Sequence, residues 1–236
     1  MKILQNILFA FFLAIFCDKA LANIVITGTR IIYPENVKSI TVKLANEGNF
    51  PSLVQSWIDS GDLNSNPAKT DSPFLITPPV TRVEPNQGQD LRIIYSGEGL
   101  PTNKESVFWL NVLDIPSKQD SVTGNQLSLA IRSRLKVFYR PTSINSPTEK
   151  SYQDVRFSSI PEHSNVLQVK NNSPFYMTIL NIQLPKTSSF KELPTMIPPF
   201  SSITLNGGSK ITPGEKITFS IVDDYGAVNK ETAVIE

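Results

Sequence analysis

Cysteine and histidine are almost missing: the 236 residues contain one of each, Cys17 and His163. Cys17 lies in a leading stretch that the sequence marks for removal, so the expected mature chain holds no thiol. That excludes a disulfide framework, a thiolate metal site and a Cys nucleophile together. A lone histidine excludes a multi-His metal centre, and its polar surroundings, Pro161-Glu-His-Ser-Asn165, suit a surface position. An excess of charge of either sign is missing too. Residues 1–22 carry Lys2, Lys19 and Asp18, and the remainder holds 20 basic and 20 acidic side chains. A neutral chain has no general pull towards nucleic acid or anionic lipid, so any charge-based recognition must be local. No G-x-S-x-G, phosphate-cradling glycine loop or H-E-x-x-H is present. The adjacent Asp223-Asp224 before Tyr225-Gly226 suits a turn better than a metal. No catalytic residue, metal or cofactor is expected.

The N-terminus sets the compartment. Lys2 supplies a positive start, and Ile3 to Phe16 form an apolar run interrupted only by Gln5 and Asn6. Ala20-Leu21-Ala22 then offers the small-x-small pattern that signal peptidase accepts. The run falls short of the roughly 20 residues of a spanning helix, and no later segment is apolar for long enough. Phe16, bulky before Cys17, argues against a lipidated N-terminus. Cleavage after Ala22 and a soluble, exported protein without membrane insertion are expected.

From Asn23 onward strand signals dominate. Ile40, Val42 and Leu44 alternate with Thr41 and Lys43, Leu91, Ile93 and Tyr95 with Arg92 and Ile94, and Leu127, Leu129 and Ile131 with Ser128 and Ala130. Turn chemistry separates them at Asn46-Glu47-Gly48-Asn49, Ser60-Gly61-Asp62, Pro78-Pro79 and Ser96-Gly97-Glu98-Gly99. With 18 prolines and no sustained 3.6-residue periodicity, long helices are excluded. The pattern predicts an all-β protein of antiparallel sandwiches. Residues 142–150, polar and containing Pro147, read as a linker. They divide the mature chain into 23–141 and 151–236, each near the size of an immunoglobulin-like domain. Strands are expected in the second half over 165–170, 176–184, 203–205 and 216–222. Trp57 and Trp109 lie in strand patterns and are expected in the core.

One stretch is more specific than any of these. Leu100-Pro-Thr-Asn-Lys-Glu-Ser-Val-Phe-Trp-Leu-Asn-Val-Leu-Asp-Ile-Pro116 resembles the signature of the PapD-like family of periplasmic pilus chaperones. Gly28-Thr-Arg-Ile-Ile-Tyr-Pro34, Pro78 to Pro85 with Gln89 to Ile94, and Leu127 to Pro141 agree with it in order and spacing. In the second half, Asn171-Asn-Ser-Pro-Phe-Tyr176, Ile197-Pro-Pro-Phe-Ser201 and Asp223-Asp-Tyr-Gly226 do the same. The resemblance implies two immunoglobulin-like domains at an angle, with a cleft between them. It implies one-to-one binding of pilus subunits that lack a final strand, and delivery to an outer-membrane usher. The polar Ser117–Gln126 loop and the lack of mature cysteines place the chain nearest the family's short-loop branch.

Residue roles follow by resemblance. Arg30 and Lys136, 106 positions apart, would point into the cleft and hold the subunit's C-terminal carboxylate; taken singly they are two solvated cations among many. Pattern alone sends Leu127, Leu129 and Ile131 inward and leaves Arg132, Arg134 and Lys136 in water. The resemblance instead turns the three aliphatic residues into the subunit's groove, by strand addition. Glu105, Arg140 and Asp224 would bridge the domains. Other classes stay open at this point: a secreted two-sandwich structural or adhesive protein, such as a pilus component, and, with almost no support, a secreted hydrolase. Self-association of the free protein through its open edge also stays open.

Overall fold

The computed structural model describes residues 23–97, 99–117, 128–144, 146–184 and 190–236. Leu127, the Lys118–Gln126 part of the loop before it and the leader therefore lie outside the described residues.

The first half contributes β1 (Ile24–Ile26), β2 (Arg30–Pro34), β3 (Ile40–Asn46), β4 (Ser52–Asp59), β5 (Phe74–Thr77), β6 (Val80–Val83), β7 (Gly88–Tyr95), β8 (Ser106–Pro116) and β9 (Ile131–Arg140). They form two sheets, β1-β3-β7-β5 and β2-β9-β8-β4-β6. The alternation read from the sequence explains the packing. Val42, Leu44, Leu91 and Ile93 of one sheet meet Val54, Ile58, Leu110, Val112, Leu135 and Val137 of the other in one buried cluster. Each such side chain contributes roughly 1.5–3 kcal/mol on burial. All the antiparallel pairing is interrupted once: β2 runs parallel to β9, with Arg30 opposite Lys136 and Pro34 opposite Arg140.

The second half contributes β10 (Val155–Ile160), β11 (His163–Asn171), β12 (Met177–Gln183), β13 (Thr195–Ile197), β14 (Ser201–Asn206), β15 (Lys216–Val222) and β16 (Val228–Val234). Its sheets are β10-β11-β14 and β13-β12-β15-β16, around a core that includes Phe157, Leu167, Val169, Ile179, Phe219 and Ile221. Both halves turn a corner in the same way. The buried Asn46 amide donates to the Phe50 and Val83 carbonyls at 2.9 Å each, and its oxygen accepts the Gly48 N–H. Asn171 repeats this with Phe175, Ile197 and Ser173. A buried side-chain amide thus satisfies the main chain where each strand ends.

Residues 142–150 carry 3₁₀ turns, Thr142–Ile144 and the start of Thr148–Asp154. They are tied down: the Glu35 carboxylate accepts the Thr142 N–H at 2.8 Å, and the Ser146 carbonyl accepts from Arg140.

Candidate functional site

Strand alternation selects what β9 shows to the second half. Leu135, Val137 and Tyr139 point into the core, so Lys136, Phe138 and Arg140 emerge on the other sheet face. The parallel β2 adds Arg30 beside Lys136. Arg30 Nη1 donates to the Val222 carbonyl at 3.3 Å, and its guanidinium lies 5.8 Å from the Phe138 ring centre. Its buried Nε has no hydrogen-bond partner. Burial lowers the Arg30 pKa against the pull of Asp224 and Asp223. Burial, then repulsion from Arg30, lowers that of Lys136. Among the described residues, no carboxylate forms an ion pair with either cation. Two half-buried positive charges therefore stand together with no carboxylate in direct contact, an arrangement that an arriving anion relieves.

Arg140, four positions after Lys136, is saturated. Its guanidinium meets Glu105 at 2.8 Å and Asp224 at 2.7 Å, with its Nε–H also on Glu105 at 2.9 Å. The second Glu105 oxygen accepts the Tyr176 N–H, and the Glu105 N–H donates to the Pro174 carbonyl. Burial works to lower the Arg140 pKa, but the two carboxylates outweigh it and raise it further. Burial pushes the Glu105 carboxyl up, even with Arg140 beside it. The acids split their work: Asp223 caps its own turn through the Tyr225 and Ala227 N–H groups, while Asp224 reaches Arg140. Gly226, with φ +88°, sits so close that a Cβ there would collide with the Thr29 hydroxyl. Phe138 and Tyr176 pack their rings across the same seam at 5.7 Å.

The start of β9 differs from the rest. β8 pairs with β9 from Ile131 to Tyr139, but β2 reaches only Lys136 to Arg140. Among the described residues, the stretch 131–135 therefore has a strand on one side only. Leu129 and Ile131 lie at its head, 64% and 55% exposed. Large aliphatics beside an unpaired strand edge form a template for another chain's strand.

Residues 23–145 match the family model of the pili and flagellar-assembly chaperones, PapD N-terminal domain, and residues 150–233 match the PapD C-terminal domain of pili assembly chaperones. The chain belongs to the pilus-assembly chaperones. It is 41% identical over 231 residues to chaperone protein HifB of Haemophilus influenzae, covering 96% of this chain and 93% of that protein. Among solved structures, that of the YadV chaperone superimposes with a TM-score of 0.75 at 32% identity, over 90% of this chain and all of that one. The SafB chaperone, solved in complex with the Salmonella enterica SafA pilin, gives 0.77 at 28% identity, over 92% of this chain and 98% of that one. Membership makes this a chaperone of fimbrial assembly with two immunoglobulin-like sandwiches; the family is not an enzyme class.

On the same sheet face, the chaperone carries a network that strand patterns did not reveal. Asp59, 2% exposed, accepts from Arg134 at 2.7 Å, Ser65 at 2.6 Å, Asn111 at 2.6 Å and the Gly61 N–H at 2.7 Å. Burial alone would raise its carboxyl, but the hydrogen bonds from Ser65, Asn111 and Gly61 and the charge of Arg134 hold it below the usual range. Arg132 donates to Asn111, the Leu63 carbonyl and Ser65. The expectation that Arg132 and Arg134 stand in water is corrected: both are held down. The tryptophans divide: Trp57 is buried as expected, 6% exposed, whereas Trp109 is only half-buried, and neither belongs to the inter-sheet cluster. Val54, Ile58, Phe108 and Leu110 fill the inward positions of β4 and β8, which sends Trp57 and Trp109 to the outer face. There Arg132 covers Trp57 at 5.0 Å and Arg134 covers Trp109 at 5.7 Å. The one available signal was Asp59, an acid closing a strand directly after Trp57-Ile58.

Proposed function

We propose that this chaperone captures pilus subunits one-to-one, by pairing the open edge of β9 with a subunit that lacks a strand, and passes them to an outer-membrane usher. Leu127, Leu129 and Ile131 enter the subunit's apolar groove, while Arg30 and Lys136 hold its C-terminal carboxylate. Arg offers a bidentate fork and Lys a point charge, and together they fix the register. Glu105, Arg140 and Asp224 hold the angle between domains 23–141 and 151–236. The Arg30–Lys136 pair carries the reading, because among the described residues no carboxylate forms an ion pair with it. The pilin complex of SafB supports the same kind of partner. Export to the periplasm with cleavage after Ala22 completes the proposal, and no helix among the described residues is long and apolar enough to cross a membrane.

Co-expression with a pilus subunit tests it. Arg30→Ala and Lys136→Ala should each lose capture while the fold stays intact, since each removes a charge-assisted contact worth about 1.5–3 kcal/mol. Normal capture by either variant would dismiss the anchor. N-terminal sequencing of the periplasmic protein should begin at Asn23; another start would dismiss the cleavage site.

A further inference from the structure

β9 and β2 present five cations on one sheet face, and among the described residues only Arg30 and Lys136 form no ion pair with a carboxylate. Arg30 and Lys136 are neighbours across the parallel pair. Arg134 stands two residues from Lys136 on the same strand face, roughly 7 Å away along the strand. A carboxylate attracted to that face therefore meets two alternative sites, one two-residue step apart. Such a step keeps every side chain on its own face, so alternation does nothing to oppose it. Something else must make one register the better one.

The cross-strand row supplies it. Pairing aligns Arg30, Lys136, Trp109 and Asp59 across β2, β9, β8 and β4. Asp59 is thus two strands from Lys136, about 9–10 Å in a sheet, too far to neutralise it. It reaches Arg134 instead, through both carboxylate oxygens at 2.7 and 3.0 Å, and comes within 3.7 Å of Arg132. The guanidiniums are drawn over Trp109 and Trp57, towards β8 and β4 and away from the open edge. We infer that Asp59 is a specificity-determining residue: by occupying Arg134 and Arg132 it leaves Arg30–Lys136 as the single carboxylate site, and so sets the register of the captured strand. The inference rests on the carboxylate anchor proposed above.

The test uses the mature chain and a short extended peptide of alternating valine and threonine, so that the peptide's own pattern prefers no register. One form ends in a free carboxylate and its twin in an amide. With Ser133→Cys as the only thiol in the mature chaperone, peptides with one cysteine at successive positions report register by disulfide formation. One position should dominate in the parent, and Asp59→Asn should add a second, two residues away, for the carboxylate form only. Affinity gives an independent reading. Lys136→Ala should weaken carboxylate-peptide binding about tenfold or more. Adding Asp59→Asn should regain roughly tenfold by releasing Arg134, and adding Arg134→Gln to that pair should remove the gain. A purely structural Asp59 would produce no gain at all. If Lys136→Ala binds like the parent, the anchor itself is wrong. If Lys136→Ala weakens binding but Asp59→Asn neither adds a register nor restores affinity, the anchor stands and the role of Asp59 is overturned.

Discussion

At the scale of single residues, the Arg30–Lys136 pair sets two half-buried cations side by side, and in the proposed reading a bound carboxylate relieves their repulsion. The Lys136 pKa is lowered from 10.5 by burial and by Arg30, and an adjacent carboxylate favours the charged form and raises it again. The bound state therefore holds its proton more tightly than the free state. Capture should be at full strength below the lowered pKa of the free protein and weaken as pH rises through it. Stability of the empty chaperone should move the other way. Its folded pKa lies below the unfolded value, so the folded state loses its proton first and stability rises with pH across that window. Titrating affinity and unfolding in the parent and in Lys136→Met isolates the group from other lysines and tyrosines. Equal pH dependence of capture in both proteins would remove Lys136 from the site.

At the scale of elements, β9 serves the protein's own core at its end and, in the proposed reading, a subunit at its start, and the boundary between them was only partly legible. Its inward alternation at Leu135 and Val137 was readable, as were β3, β7, β11, β12, β14 and β15, because burial on one face leaves a period of two in the sequence, whereas β10, β13 and β16 were missed. Among the described residues the regular strand begins at Ile131, with 128–130 outside it. Periodicity cannot say where pairing stops when the side chains beyond still alternate. Nor could it show the Asp59 network, whose side-chain partners lie 6 to 75 positions away, Asn111 and Arg134 being brought in by sheet order. The resemblance, not the pattern, separated Leu129 and Ile131 from the core. Their exposure makes the consequence testable. Leu129→Glu or Ile131→Glu should change free-protein stability by no more than about 0.5 kcal/mol, as surface substitutions do. The same charge in a subunit's apolar groove should abolish capture. Melting temperature and capture measured on one preparation decide the matter: a large fall in melting would return these residues to the protein's own core.

At the scale of the whole molecule, the question is what the buried Glu105–Arg140–Asp224 bridge does for two domains that each have a complete core. Removing one partner of such a set is costly, because the others remain buried without compensation. Arg140→Ala should cost about 3–5 kcal/mol. At about 2–4 °C per kcal/mol for a chain of this size, that is a fall in melting temperature of at least about 6 °C. The triple variant Arg140→Met, Glu105→Gln, Asp224→Asn removes all three charges and keeps an acceptor for the Tyr176 N–H. Replacing a whole buried ionic set by neutral groups is often close to neutral for stability, so it should melt nearer the parent than Arg140→Ala does. Its domains would then be held by the Phe138–Tyr176 ring contact, the Glu105–Pro174 main-chain bond, the retained Tyr176 N–H bond, the Arg30–Val222 hydrogen bond and the close Gly226–Thr29 approach, none of which pairs opposite charges. Small-angle scattering should therefore show a wider spread of interdomain angles in the triple variant, and capture should fall although the fold persists. Arg30 gives the link between angle and capture. Its hydrogen bond to the Val222 carbonyl crosses from one domain to the other, so a change of angle moves the anion site as well as the seam. If the triple variant melted as early as Arg140→Ala, the bridge would be holding the domains folded. If it melted like the parent and kept both its scattering profile and its capture, the angle would be set by the apolar seam alone.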